Sequence, residues 1–342
     1  MKNWFLRRTI FDSLGFSFLF SIVLYILFQP GEEHFLQLKE NFIIFLVLSV
    51  VGFLLSLLIN YFEIPTWGDK IFISRIIKVN ATQSYLQKNF WKWQSLVIMA
   101  ALFVIGLRVT DFSLRSVFDK DGFSGAVRIF SELLQPNFEI LPRAILRMFE
   151  TVFMAFLATV FAIPIAFILS FAAAKNIMKH PFAYVIYLLL RTILNLVRSI
   201  EAFMWAIIFS VWVGIGPAAG FLALMIHSIA SLAKQFSEIV EGINDGPVEA
   251  IQSCGANQLQ TIWFAIVPQV LLPFISFAVY RWDINVRMAT IVGFVGGGGI
   301  GKLLIAYQGQ AQWKEVGCLF LVIAIVVWIL DLSSAYLREA LK

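Results

Sequence analysis

Long apolar runs alternate with short polar stretches along the whole chain. The runs lie at roughly 10–28, 41–62, 94–110, 144–173, 182–213, 218–236, 269–295 and 316–337. Most are long enough to cross a hydrocarbon layer about 30 Å thick as a helix. Pro164 interrupts the fourth run, and the fifth is unusually long. Between the runs lie an acidic loop (Glu32, Glu33 and Glu40 against Lys39), a basic segment at 63–94, a mixed-charge loop at 111–143 and a short turn with Lys175, Lys179 and His180. The basic segment holds Lys70, Arg75, Lys78, Lys88 and Lys92 with Trp67, Trp91 and Trp93. It reads either as an amphipathic helix at the membrane surface or as a plain linker. About eight spans place both termini on one side. Lys2, Arg7, Arg8, the 63–94 segment, Lys175, Lys179, Arg338 and Lys342 mark that side as cytoplasmic. The loop at 111–143 is a mild exception, with Arg115, Lys120, Arg128 and Arg143 offset by five acidic residues.

Composition agrees with the pattern. The chain is 60% hydrophobic and 14% charged, against about 25% charged in a soluble domain. An all-α, polytopic membrane protein is expected, because only helices and closed barrels satisfy their backbone groups in lipid. The net charge of +5 sits at membrane flanks, so lipid and not nucleic acid is the expected contact. Cys254 and Cys318 fall in very different places, which speaks against a disulfide or a metal site. The first apolar run is followed by Gln29-Pro30-Gly31-Glu32-Glu33, without a small-residue cleavage site. No Ser-His-Asp set, His/Cys cluster or carboxylate pair suggests hydrolytic or redox chemistry.

The stretch 237–273 is a polar island between two apolar segments. Asn244-Asp245-Gly246-Pro247 is a turn cluster. With Gly246 as N-cap, Glu249 falls at the third helical position, where a negative charge suits the helix N-terminus. Gly255 is placed to end that helix with positive φ, and Asn257 to cap the next. The island predicts two short helices with a turn between them.

Charges within the apolar runs are functional candidates by default, because each costs several kcal/mol in lipid unless paired or hydrated. The seventh run holds Arg281, Asp283, Asn285 and Arg287. On a helix Asp283 and Arg287 share a face and can pair, which leaves Arg281 the less neutralised cation. An arginine fork matches phosphate-like oxygens bidentately. A cation-lined anion path and a structural ion-pair network both fit, and so does a turn that breaks the span. Arg198 and Glu201, three apart in the fifth run, are spaced to pair, and Arg191 is expected near the inner surface. His227 and Ser228 are candidates for lining a path, although a single intramembrane His more often joins helices by a hydrogen bond. The stretch Gly296–Leu303 fits only the first part of a phosphate-binding loop. Leu303 stands where Ser or Thr would hold Mg²⁺, and no strand precedes it. Close helix packing and a positive-φ turn are the expected roles of these glycines. Their amides remain candidates for cradling an oxyanion.

The polar island resembles the cytoplasmic loop of ABC importer permeases, whose pattern is E-A-A, three residues, G, nine residues, I-x-L-P. Glu249, Ala250, Gly255 and Pro268 stand at those spacings, while Ile251, Ala265 and Val267 replace other apolar residues. The likeness extends through Gly214-Ile215-Gly216-Pro217, His227-Ser228, Glu238 to Glu241, Val267-Pro268-Gln269, Tyr280-Arg281, Asn285 to Thr290, Gly293 and the glycine run. This ordered set is similar to the phosphonate transport permease family, a group of type I (MetI-like) ABC importers. Glu201 stands where relatives usually have Pro, which leaves the local shape of the fifth span open.

The resemblance implies a permease core at 144–342 with a coupling loop at 237–268. Before it lie an N-terminal extension with two spans (1–94) and a further span and outer loop (95–143), and the family supplies no role for the added spans. It implies coupling through Glu241, Glu249, Ala250, Gly255 and Pro268. With the charge pattern, it points to a path past Arg281, Arg287, Asp283, Asn285, His227 and Arg198. The implied partners are cytoplasmic ATPase subunits, which bind ATP and Mg, an extracytoplasmic phosphonate-binding protein, and a second permease copy, the same chain or a similar one. This chain would itself hold no cofactor, sit in a bacterial inner membrane and catalyse nothing. Phosphonate, phosphite or a phosphate ester is the implied cargo. A permease for another small solute, such as methionine, and an ion-coupled carrier or channel are the alternatives.

Overall fold

A computed structural model describes residues 2–28, 38–62, 64–72, 89–110, 112–113, 115 and 118–340. The expected acidic loop around Glu32 and Glu33 lies outside the described residues. So do Arg75, Lys78, Lys88, Asp111 and Lys342. The described residues are helical apart from turns and short connections. They form two compact units, residues 1–123 and 124–342.

The first unit is built on α1 (Lys2–Phe28), α2 (Leu38–Tyr61), α3 (Trp67–Phe72) and α4 (Phe90–Val109). Helices α1 and α2 run antiparallel through small residues. A Cβ on Gly52 would lie 2.7 Å from the Ser13 carbonyl, and Ser13 and Ser17 donate to the carbonyls of Ser49 and Leu48. Hydroxyls and glycine allow this close approach in an apolar setting. Asp12, buried in α1, accepts from Thr66 Oγ1 at 2.5 Å and from the Gly68 amide at 2.9 Å. Those bonds hold the short helix α3 against α1.

The second unit contains α5 (Lys120–Leu133, which begins just before it), a 3₁₀ turn Phe138–Ile140, α6 (Leu141–Ala172), α7 (Pro181–Ser199), α8 (Ala202–Val213) and α9 (Pro217–Glu241). Then come α10 (Asp245–Ser253), α11 (Gln258–Thr261), a π turn Ile262–Ile266, α12 (Val267–Phe294), α13 (Gly299–Gly309) and α14 (Trp313–Ala340). Its core is the α6–α9 contact, where Ala155, Ala158 and Ala162 face Ala219, Ala223 and Ala230, all essentially without exposure. Small side chains let the two backbones approach closely. The outside is apolar, with Phe149, Phe153, Val211 and Trp212 all well exposed. That arrangement suits lipid.

Seven helices among the described residues are long and apolar enough to cross a membrane. The expected first span lies within α1, a helix of 27 residues that is not among those seven. Two expectations need correction. Pro164 does not interrupt the fourth span, since α6 runs unbroken from Leu141 to Ala172. Local adjustment of the helix compensates the hydrogen bond that proline removes. The fifth span is two helices, not one. Ile200 (ψ 118°) and Glu201 (ψ 149°) are extended, and they end α7 and begin α8. Nothing local in Ser199-Ile200-Glu201 demands this break. The Ile200 carbonyl, released from the helix, accepts from His227 Nδ1 of α9 at 3.1 Å.

Candidate functional site

The polar island folds into a helical hairpin that projects from the bundle. Its first helix, α10, has no buried residue. The cap is Asn244, not Gly246. The Asn244 side chain accepts from the Gly246 amide at 3.0 Å, a bond glycine cannot supply. The helix therefore starts earlier than expected, and Glu249 lies in its middle, exposed beside Ala250. Gly255 has φ +83°, as its place after the helix required. Asn257 caps α11 in a reciprocal box: its side chain accepts from the Gln260 amide, and Gln260 Oε1 accepts from the Asn257 amide, both at 2.9 Å. The π turn precedes Pro268, which has no amide proton to give to a regular ladder.

Side chains fix the base of the hairpin. Gln269 clasps its two ends, accepting from the Asn244 amide at 3.1 Å and donating to the Asn244 carbonyl at 3.4 Å. Glu241 points inward: it accepts from the Lys175 amide at 2.9 Å and pairs with Arg191 at 2.6 Å. It braces the hairpin from behind, while Glu249, Ala250, Gly255 and Pro268 are exposed.

The intramembrane polar residues fall into two groups on opposite faces of α12, which is helical throughout 280–287. On one face Arg281 is 7% exposed and donates from Nε to Ser228 Oγ at 3.2 Å. Asn285, one turn on, donates from Nδ2 to Ser228 Oγ and to Thr159 Oγ1, both at 2.8 Å. The cluster ties α6, α9 and α12 together. Among the described residues, Arg281 Nη2 is buried with no hydrogen-bond partner, and no carboxylate is within ion-pair distance of this arginine. On the other face Arg287 pairs with the buried Asp283 and reaches Asp331 of α14 at 3.0 Å.

His227 is buried and bonds the chain break at Ile200. Arg198 stands exposed on the last turn of α7. The expected Arg198–Glu201 pair is not formed, because the break removes the shared helix face. Beside Thr159, an apolar cavity of about 320 Å³ lies between α6 and α12, walled by Phe156, Phe167, Phe274 and Trp282 among others.

The amides at the start of α13 do not cradle an external anion. Gly299 and Ile300 donate to Glu150 Oε1 at 3.2 Å and Thr151 Oγ1 at 2.8 Å. Gly296, Gly298 and Gly299 take positive φ, and a Cβ on Gly293 would lie 2.6 Å from the Gly298 carbonyl. Packing explains the run. Asp331 and Glu150 are legible as charges in apolar runs, but no spacing in the sequence pairs them with Arg287 and Gly299. Thr159 carries no signal in the sequence, because an isolated threonine in an apolar run is ordinary.

Neither group contains a nucleophile with a base. The first hairpin helix is free of buried residues, and Arg281 keeps one guanidinium nitrogen without a partner among the described residues. Residues 138–342 match the family described as binding-protein-dependent transport system inner membrane component. The chain is 34% identical over 222 residues to the phosphite transport system permease protein PtxC of Stutzerimonas stutzeri, covering 65% of this chain and 80% of that one. It is 33% identical over 217 residues to the phosphate-import permease protein PhnE of Mycolicibacterium smegmatis, covering 63% of this chain and 40% of that one. The putative cryptic phosphonate transport system permease protein PhnE2 of Escherichia coli K12 is 44% identical over 118 residues, 34% of this chain and 97% of its own. In fold the chain is similar to an inward-facing structure of the MetNI methionine ABC transporter, with TM-score 0.53 and 20% identity over 60% of this chain and 99% of that one. The chain thus belongs to the binding-protein-dependent inner membrane components, as the transmembrane subunit of an ABC importer of the phosphonate permease group.

Proposed function

We propose that this permease conducts a phosphorus oxyanion, namely phosphonate, phosphite or a phosphate ester, and that Arg281 meets it in the path. The observation that carries this reading is the unpartnered Nη2 of a buried arginine, held by Ser228 next to Asn285 and Thr159. A guanidinium kept dry without a carboxylate partner is costly, and a tetrahedral oxyanion that accepts from its fork would offset that cost. The names of the relatives, phosphite, phosphate and phosphonate permeases, support the same substrate class.

The hairpin 237–268 docks on a cytoplasmic ATPase through Glu249, Ala250, Gly255 and Pro268, with Glu241 bracing it. ATP and Mg bind that partner, which does the hydrolysis. A binding protein delivers the anion from outside, a second permease copy completes the path, and both termini face the cytoplasm. Asp283, Arg287 and Asp331 hold α12 to α14.

The deciding measurement is the ATPase activity of the lipid-embedded complex, titrated with binding protein loaded with methylphosphonate, phosphite, phosphate or methionine. Stimulation by one phosphorus oxyanion is expected. Stimulation by methionine alone would replace the substrate class, and an assembled complex deaf to every load would remove the importer mechanism.

A further inference from the structure

The break at Ile200–Glu201 and the Arg281 cluster meet at one place. Ile200 is bonded to His227. The next residue of α9, Ser228, is bonded to Arg281. Glu201 stands at the start of α8, beside the bonded Ile200, and is exposed. A carboxylate exposed at the break of a spanning helix is costly against lipid, so it requires water or a cation nearby. Glu201 follows the residue bonded to His227, and Arg281 is bonded to the next residue of α9, so the two charges approach the same turn of that helix. Yet Glu201 forms no ion pair with Arg281, and Arg281 Nη2 stays without a partner. The break thus brings an acidic residue beside the Arg281 cluster without occupying the guanidinium fork. The extended backbone that positions it depends on α9, not on any glycine or proline at the break.

We infer that Glu201 is the resident counter-anion of Arg281: it balances the guanidinium while the path is empty, and it weakens the hold on an arriving phosphorus oxyanion so that the anion can leave. The inference rests on the reading of Arg281 as a path residue and adds a residue that sets affinity. Glu201 acts through Arg281 and is a positioning residue. Two negative groups compete for one cation, so neutralising one strengthens the binding of the other. A coupling of ordinary size corresponds to about a tenfold change in affinity.

The test uses the permease–ATPase complex in lipid nanodiscs without binding protein, with radiolabelled phosphite and methylphosphonate as probes. Uptake by the complete reconstituted importer is measured beside it. Glu201→Gln is expected to bind the probe about tenfold more tightly than wild type, with a lower maximal uptake rate because release slows. Glu201→Asp keeps the charge and is expected to resemble wild type. Should Glu201→Gln fail to assemble, Glu201→Ala takes its place. A variant damaged only in structure would lose binding and uptake together, which would overturn the inference. Arg281→Ala separates the two readings. If it binds and transports like wild type, the path reading fails and the inference with it. If it abolishes binding while Glu201→Gln leaves affinity unchanged, the inference alone fails. Absence of probe binding in every form, Glu201→Gln included, overturns both.

Discussion

Arg281 and Arg287 are six residues apart on one helix and have opposite fates. Arg281 is buried against hydroxyls, whereas the Arg287 side chain is half exposed and shared between two carboxylates. The two partners of Arg287 differ as well, since the Asp283 side chain is 5% exposed and that of Asp331 is 45% exposed. Removing the arginine strands a buried carboxylate, which costs about 3 kcal/mol, whereas an exposed pair contributes about 0–1 kcal/mol. Arg287→Ala should therefore lower the thermal unfolding midpoint of the purified permease well below that of Asp331→Ala. Adding Asp283→Asn to Arg287→Ala should recover much of the loss. Equal midpoints for the two single variants would show that Asp283 is not held by this arginine. Which arginine pairs was partly legible, because the four-residue spacing of Asp283 and Arg287 is a helical one. That Arg281 bonds to Ser228 was not, because 53 residues separate them.

The hairpin of α10 and α11 is the element for which local rules carried furthest. Gly255 and the Asn257 cap stand where the spacing put them, and only the first cap moved, to Asn244. A Cβ on Gly255 would meet nothing within 4 Å. A substitution there is strained by its backbone, at about 1–2 kcal/mol, and meets no clash inside this chain. Asparagine tolerates positive φ better than other residues. Gly255→Asn should therefore retain coupled transport, whereas Gly255→Trp should leave the permease folded and lose ATPase coupling by steric conflict with the partner. Uptake and ATP turnover in the same proteoliposomes check this, and coupled transport in Gly255→Trp would free the hairpin of its docking role. The break between α7 and α8 is the opposite case. It has no glycine or proline, and its released carbonyl finds its partner in His227, 27 positions away.

At the scale of the whole molecule, residues 124–342 form a compact unit of their own, and the family match covers 138–342. The first unit has its own internal bonds, from Asp12 to Thr66 and Gly68 and from α1 to α2. We expect a chain beginning at residue 124 to insert in the membrane and to co-purify with the ATPase partner at no less than about half the full-length yield. That level corresponds to a stability change well under 1 kcal/mol, since about 1.4 kcal/mol would be tenfold. Loss of the ATPase from the shortened chain would make residues 1–123 part of the assembly surface.

The sequence by itself determined the membrane class, most of the long helices and the hairpin with its glycine turn, but neither α5 within the expected loop 111–143 nor α13 after the glycine run. Those features depend on composition and on groups within about one helical turn of each other. Only the tertiary structure decided that the fifth span breaks, that Pro164 does not break the fourth, that Glu241 turns inward and that Arg281 joins Ser228, Asn285 and Thr159. The break, the turn of Glu241 and the Arg281 cluster each depend on a partner distant in the chain, up to 126 positions away. In lipid such a partner decides whether a polar group can stay at all, because no water is there to replace it.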